Sequence, residues 1–87
     1  MPEVVVRAPL KDLCGGNSSL DLAGTTVGEV IHRLEDAWPR TVGWVLDEQG
    51  RVRQHVNVFL NGERVREDAA VTPGDRLHIL PAITGGR

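Results

Sequence analysis

Cysteine and aromatic residues are scarce in this 87-residue sequence, which has one cysteine, one phenylalanine, two tryptophans and no tyrosine. A lone Cys14 cannot form a disulfide within the chain, and no cysteine and histidine have the spacing of zinc ligands. Ten basic and twelve acidic residues give a formal net charge of -2 and form no basic stripe. With so few side chains to stack on bases, no nucleic-acid partner is expected.

Long apolar segments are also missing, because no run approaches the ~18–20 residues of a membrane-spanning helix. The N-terminus places Pro2 and Glu3 before a short apolar run that Arg7 interrupts, whereas a secretory signal peptide starts with basic residues. We therefore expect a cytoplasmic protein with no membrane partner. The length suits one domain, and the hydrophobic fraction of 40% is ordinary for a folded, soluble chain.

The first part of the chain predicts a pair of strands. Residues 3–8 are rich in valine, and residues 19–23 alternate leucine with polar neighbours, as strands do. The segment between them, residues 10–17, ends in Gly-Gly-Asn, which tolerates positive φ. We expect a hairpin connection there and not a phosphate-binding loop, because such a loop leads from a strand into a helix.

One main helix is predicted to begin at Val27. Thr26 is a suitable N-cap, and Glu29 follows three residues later, which is the spacing of a capping box. Pro39 sets the helix end at about Trp38. The helix has an apolar face of Val27, Val30, Ile31, Leu34 and Trp38 and a polar face of Glu29, His32, Arg33 and Asp36.

The second half of the chain predicts a long connection and three more strands. Residues 40–53 show no clean period and are expected to hold at most one short turn, at residues 42–46. Alternating or short apolar segments predict strands over residues 55–61, 63–66 and 76–82. Asn61-Gly62 between the first two is a strong hairpin signal.

This order of elements predicts an α+β fold of the β-grasp (ubiquitin-like) type, with one mixed sheet and one main helix across one face. A ferredoxin-like fold is the alternative, but it requires a second helix that the sequence after Glu67 does not offer. The β-grasp domain is expected over residues 1–83. Residues 84–87, with Gly85-Gly86, have nothing to pack against in this arrangement and are expected to form a flexible tail.

The alternation of side chains along the predicted strands indicates an exposed apolar surface near the start of that tail. The residues expected to face the helix are Val56, Val58, Leu60, Leu77 and Ile79. Alternation then places Phe59, His78 and Leu80 on the opposite face. An exposed Phe and Leu together predict a surface for docking a partner. The alternative is that they are isolated exposed apolar side chains, which are common.

Three segments carry a resemblance to a known family. They are HVNVFLNGE at residues 55–63, PGDRLHILPA at residues 73–82 and ITGG at residues 83–86. In these segments, and less specifically over nearly the whole chain, the sequence resembles the ubiquitin-like sulfur carriers of the MoaD/ThiS family. The family includes the small subunit of molybdopterin synthase and the thiamine-pathway carrier. The carriers of cysteine biosynthesis are the branch that it resembles most.

The resemblance implies a carrier and not an enzyme. In this family an E1-like adenylating enzyme binds ATP, and the carrier's terminal carboxylate attacks the α-phosphate. A sulfur donor converts the acyl-adenylate into a thiocarboxylate, which a sulfur-accepting synthase consumes. Gly85 and Gly86 match the family's terminal glycines, and without Cβ atoms they fit a narrow cleft in any backbone conformation. No cofactor of the chain's own is implied, and the final acceptor of the sulfur is left open.

Arg87 departs from the family pattern, in which a glycine carboxylate ends the chain. It turns the Gly86 carboxyl group into an amide, which does not attack a phosphate. Either a peptidase, metal-dependent in related systems, removes Arg87, or the chain is not a carrier. Two other functions stay open, namely a protein modifier joined to target lysines and a noncovalent binding module with an inert tail.

Other chemistry has little support in the sequence. No serine lies on a strained elbow or beside a histidine, so a hydrolytic triad is not expected. Cys14 is expected to be a spectator thiol in a turn, and His32 to be solvated. His55 and His78 are candidates to approach each other on the outer sheet face, although no metal is expected there. Lys11 is the only lysine in the sequence, so polymeric chains are not expected.

Overall fold

The computed structural model describes residues 1–81, and the predicted domain boundary after residue 83 lies outside them. The elements are β1 Glu3–Val6, α1 Leu10–Leu13, β2 Ser19–Asp21, α2 Val27–Ala37, a 3₁₀ turn Pro39–Thr41, β3 Val56–Leu60, β4 Glu63–Val65 and β5 Arg76–Pro81. These strands form one sheet in the order β2-β1-β5-β3-β4. β1 and β5 are parallel neighbours at its centre, and the other neighbours are antiparallel. The predicted mixed β-grasp sheet is confirmed.

Helix α2 covers one face of this sheet. Its apolar residues Val27, Val30, Ile31 and Leu34 are all buried. They belong to one core cluster that also contains the inward-facing strand residues Val4, Val6, Val56, Val58, Leu77 and Ile79. Because side chains of a strand alternate between the two faces, this burial fixes which face of each strand looks toward the helix. Within residues 1–81 neither helix has the length and apolar character needed to cross a membrane.

The ends of α2 follow the predicted signals. Thr26 has extended backbone angles, and its hydroxyl oxygen accepts a hydrogen bond of 3.2 Å from the Glu29 N–H. The Glu29 carboxylate accepts in return from the N–H and hydroxyl of Thr25, at 2.8 Å each, so the reciprocal bond of the capping box is displaced by one residue. The last helical residue is Ala37, because Trp38 before Pro39 has φ -132° and ψ 82°.

The connection between β1 and β2 contains an element that the sequence analysis missed. Residues 10–17 were expected to be irregular, but Leu10–Leu13 form the short helix α1, and both Leu10 and Cys14 are fully buried. Gly15 has φ +65°, and a Cβ on it would lie 2.8 Å from the Trp38 ring. Cys14 lies in the turn that follows α1, as expected, and it is also a buried residue of the core.

The long connection between α2 and β3 is held by side chains and not by regular structure. The predicted short turn at residues 42–46 is present at residues 42–44, and it directly follows a 3₁₀ turn at Pro39–Thr41 that was not predicted. Val52 pairs with Leu46 in an isolated β-bridge. The Glu67 carboxylate accepts from the Val52 N–H at 2.7 Å, and the Arg66 guanidinium donates to the Val52 carbonyl at 3.3 Å. These two hydrogen bonds satisfy the backbone N–H and carbonyl of Val52, as a neighbouring strand does within a sheet.

The predicted hairpin at Asn61-Gly62 is present. Both residues have positive φ, 51° and 90°, as a tight turn between β3 and β4 requires. The Asn61 side chain also joins the turn to β5, because its oxygen accepts from the Arg76 N–H and its amide donates to Asp75, both at 2.9 Å. The turn residue therefore fixes the start of the last strand as well as the hairpin.

Candidate functional site

The face of the sheet opposite α2, called the open face, carries the predicted partner surface. Its residues are Glu3, Val5, Ser19, Asp21, Asn57, Phe59, Arg64, Arg76, His78 and Leu80. The strand register brings Phe59 opposite His78, and His78 opposite Val5. Leu80 lies opposite Asn57, two residues farther along β5. The structure thus brings Phe59, His78 and Leu80 together on one face.

The two faces of strands β3 and β5 differ in how far their side chains are buried. On the helix side, Val58, Leu77 and Ile79 are completely buried. On the open face, Phe59, His78 and Leu80 are half-buried. Of the residues expected to face the helix, Leu60 departs slightly, since it is half-buried and packs at the margin of the core. The open face therefore presents an apolar centre that the described part of the chain leaves partly uncovered.

A polar network closes the end of the open face that is remote from Leu80. The Glu3 carboxylate accepts from the Ser19 hydroxyl at 2.5 Å and from the Arg76 guanidinium at 2.8 Å. The hydrogen bond from Ser19 and then that from Arg76 lower the pKa of Glu3 below its ordinary value. The charges of Glu3 and Arg76 thus neutralise each other at this end of the sheet.

A polar groove of about 470 Å³ lies at the same end, beside the Asn61-Gly62 turn. Its Asp75 carboxylate already accepts from the Thr72 N–H at 2.8 Å and from the Asn61 amide. The bond from Thr72 is the main reason that the pKa of Asp75 is lowered. The carboxylates of this groove are thus engaged by the fold itself and do not present a ligand site.

Strand β5 ends at the opposite end of the open face. Strand β5 lies between β1 and β3, and its last residue, Pro81, pairs with Val56 at the start of β3. The predicted reactive residues Gly85 and Gly86 and the predicted processing residue Arg87 lie outside the described residues. What the structure does establish is the edge at which β5 ends, next to Leu80 and the end of β1.

The remaining candidates from the sequence are not brought together. His78 lies opposite Phe59, whereas His55 precedes Val56, so the two histidines are four positions apart along the strands, about 13 Å. The idea that they approach each other is therefore wrong. No group of three metal-ligating side chains occurs among residues 1–81. Burial raises the pKa of the Cys14 thiol, which fits an unreactive core residue.

Two exposed features escaped the sequence analysis. The first is an exposed apolar pair on the long connection after α2, Val42 and Trp44, with exposures of 62% and 39%. No hydrophobic period in the sequence predicts their positions.

The second is Arg64 on β4, which lies opposite Phe59. The sequence does contain the information that places Arg64, because a two-residue turn fixes the hairpin register. Counting residue pairs outward from the Asn61-Gly62 turn puts Arg64 opposite Phe59.

Comparison with known proteins decides the family. Residues 4–86 match the ThiS family. The chain belongs to the ThiS family. A relative is the sulfur carrier protein CysO of Mycobacterium tuberculosis, 34% identical over 91 residues that cover 95% of this chain and 98% of that protein. Another is small archaeal modifier protein 1 of Haloferax volcanii, 32% identical, with 91% of this chain and 93% of that protein covered.

A solved structure of a related protein has the same fold as this chain. The crystal structure of the Amycolatopsis orientalis BexX/CysO complex contains a chain that superimposes with a TM-score of 0.90 at 31% identity, covering 99% of this chain and 100% of that one. The resemblance to the sulfur carriers is thereby confirmed. The Mycobacterium tuberculosis relative is named as a sulfur carrier and the Haloferax volcanii relative as a modifier protein.

Proposed function

We propose that this protein is a sulfur carrier whose Gly86 carboxylate is adenylated by an E1-like enzyme and then converted to a thiocarboxylate. The observation that carries the proposal is the extent of the family match, which ends at Gly86 and leaves Arg87 outside it. Gly85-Gly86 follows the last strand, which ends at Pro81, after a spacer of three residues, Ala82 to Thr84. The relatives named as CysO sulfur carriers support the same chemistry.

The proposed reaction uses the tail as a substrate of its partners. An oxygen of the Gly86 carboxylate attacks the α-phosphorus of ATP on the adenylating enzyme, and pyrophosphate leaves. A sulfur donor then attacks the carbonyl carbon, the bond to the AMP oxygen breaks, and a thiocarboxylate remains. Its sulfur attacks the substrate of a sulfur-accepting synthase. ATP belongs to the adenylating enzyme, and the carrier itself needs no cofactor.

Arg87 requires one earlier step in this scheme. While it is attached, the carbonyl group of Gly86 is an amide and has no carboxylate oxygen to attack ATP. We therefore include a metal-dependent peptidase that hydrolyses the Gly86–Arg87 bond, with water supplying the oxygen of the new carboxylate. The Gly85-Gly86 pair suits this enzyme too, because an extended chain without Cβ atoms enters a narrow active site.

The partner enzymes are proposed to dock on the open face. Phe59, His78 and Leu80 form its centre, and Leu80 lies one residue before Pro81, where β5 ends. An enzyme seated on these residues has its active site within reach of the tail. Aromatic residues in such partly covered positions often contribute most of the binding energy of an interface.

A protein modifier is the second candidate, favoured by the 32% identity to small archaeal modifier protein 1. It shares the adenylation step but ends in an isopeptide bond to a lysine of a target. Lys11 is exposed and is the only lysine, so a chain of copies requires Lys11 or the N-terminal amine. A third candidate, a noncovalent binding module, predicts no activation at all.

Intact-mass spectrometry tests these candidates. The full-length chain, the chain ending at Gly86 and the same truncated chain with Gly86→Ala are each incubated with the adenylating enzyme of the source organism, ATP and sulfide. We expect the truncated chain alone to exchange one oxygen for one sulfur. Conversion of the full-length chain without loss of Arg87 contradicts the peptidase step, and conversion of none of the forms favours the noncovalent module.

The modifier is separated by a second measurement on the same reaction. Sulfide is kept in the reaction, a lysine-containing acceptor protein is added, and both the thiocarboxylate and any linked product are sought by mass. A thiocarboxylate without any isopeptide product supports the carrier. An isopeptide product in place of the thiocarboxylate supports the modifier.

A further inference from the structure

Two arginines flank the apolar centre of the open face. Arg64 on β4 is directly opposite Phe59 on β3, so both side chains lie on the same face. Arg7 follows Val6, whose partner on β5 is Ile79, and therefore lies at the level of Leu80 at the border of the open face. Both arginines are exposed.

These arginines have no acidic partner among residues 1–81. The ion pairs of this part of the chain are His32 with Glu35, Arg33 with Asp36, Arg66 with Glu67, and Arg76 with Glu3. Neither Arg7 nor Arg64 forms a side-chain hydrogen bond within the same residues. Each guanidinium group is therefore available to a carboxylate of another molecule.

The acids of the open face stand away from its apolar centre. Glu3 is paired with Arg76 at 2.8 Å, and Asp21 lies opposite Glu3 on the edge strand β2. In the strand register, Glu3 is two residues before Val5, the residue level with Phe59 and His78. The charges next to the apolar centre are thus positive, although the whole chain has a formal net charge of -2.

We infer that the open face recognises an enzyme surface on which carboxylates surround an apolar depression, and that Arg7 and Arg64 select that enzyme. This inference rests on the proposed function, since it names the chemistry of the partner that docks there. Phe59 and Leu80 fill the depression, and the two guanidinium groups meet carboxylates on either side of it. Opposite charges at the rim of an interface raise the association rate and exclude partners with basic rims.

Charge reversal with a matched control tests the inference. Arg7→Glu and Arg64→Glu are compared with Arg33→Glu, which makes the same change in net charge at an exposed arginine on the polar side of α2. The chain ending at Gly86 is used throughout, and its association rate with the adenylating enzyme is measured at low and high salt. We expect Arg7→Glu and Arg64→Glu each to lower the rate by roughly tenfold at low salt and less at high salt.

The controls separate this inference from the proposed function. Arg64→Lys keeps the charge and should retain most of the rate, and Arg33→Glu should change the rate little. Equal losses for Arg33→Glu show an effect of net charge and overturn the inference, as does a rate unaffected by Arg7→Glu and Arg64→Glu. In both cases the thiocarboxylate assay on the unsubstituted chain still reports on the proposed function.

A polyanion offers a further check on selectivity. Binding of single-stranded RNA that is lost in Arg7→Glu and Arg64→Glu, with no change in the rate of enzyme association, assigns the arginines to nucleic acid and overturns the inference. Loss of enzyme association without any RNA binding supports it. Melting curves of all variants are expected to coincide with that of the parent, because the substitutions are on the surface.

Discussion

The two faces of the sheet use the same strands for different purposes. On β5, Leu77 and Ile79 are fully buried against the helix side, while His78 and Leu80 between and after them are half-buried on the open face. The helix side contributes most to folding, because apolar area removed from water is its main source of free energy. The open face contributes less to folding, because its apolar residues Phe59 and Leu80 are only partly removed from water. Adjacent residues of one strand can therefore be tested against each other.

The largest expected effect is on the helix side. Ile79→Ala removes a fully buried side chain and should lower the free energy of unfolding by about 2–5 kcal/mol. Its neighbour Leu80 is half-buried on the open face, so Leu80→Ala should cost about 1 kcal/mol or less. Urea unfolding of both variants measures the difference. Equal losses would mean that the open face also carries the fold.

The next effect is on binding. Phe59→Asp should weaken the complex with the adenylating enzyme by more than about 1 kcal/mol and leave most of the stability intact, because Phe59 lies on the open face. Trp44→Asp is the matched control, an aromatic residue with 39% exposure on the connection after α2. Calorimetric titration of both variants separates the surfaces. Equal weakening by Trp44→Asp would contradict docking on the open face.

A smaller effect on stability is expected at the start of α2. The Thr26 hydroxyl accepts from the Glu29 N–H, so Thr26→Ala leaves one helix N–H without its partner. The expected cost is about 1 kcal/mol, measured by thermal or urea unfolding. Binding of the adenylating enzyme should not change, since the helix end lies on the other side of the sheet. Ser18→Ala, at an exposed serine before β2, serves as the control and should be nearly neutral.

The smallest expected effect is on stability and depends on pH. It concerns Glu67, whose carboxylate accepts a hydrogen bond from Val52 in the long connection between α2 and β3. The hydrogen bond from the Val52 N–H is the main cause that lowers the pKa of Glu67. A lowered pKa in the folded state stabilises the fold above the unfolded carboxyl pKa, roughly 4.3, and this gain is lost as the pH falls through the folded value. Glu67→Gln should therefore cost stability at neutral pH and nothing in acid, below the folded pKa.

Urea unfolding at a series of pH values checks the Glu67 prediction. The carboxylate is partly exposed, so solvent screening keeps the expected difference well below about 1 kcal/mol. A difference between the parent and Glu67→Gln that is the same at every pH would show that shape and not charge holds Val52. In that case the connection would owe its position to packing alone.

Local periodicity explains which parts of the fold were predictable. Helix α2 was predicted within one residue at its end, because its apolar spacing, N-cap and following proline are all close in sequence. The Asn61-Gly62 turn fixed the pairing of β3 with β4 in the same way. Strand parity placed Phe59 and His78 on the open face, although their role in docking stays a prediction.

By itself, the sequence determined the order of the five strands and helix α2, the turn at Asn61-Gly62 and the inward and outward sides of β3 and β5, because each depends on residues only a few positions apart. The tertiary structure alone decided the rest. Cys14 became a core residue, Val52 was fixed by Glu67 fifteen positions away, and Arg7 came level with Leu80. The physical reason is that such contacts join segments distant in sequence, and no local period records which of them the sheet will bring together.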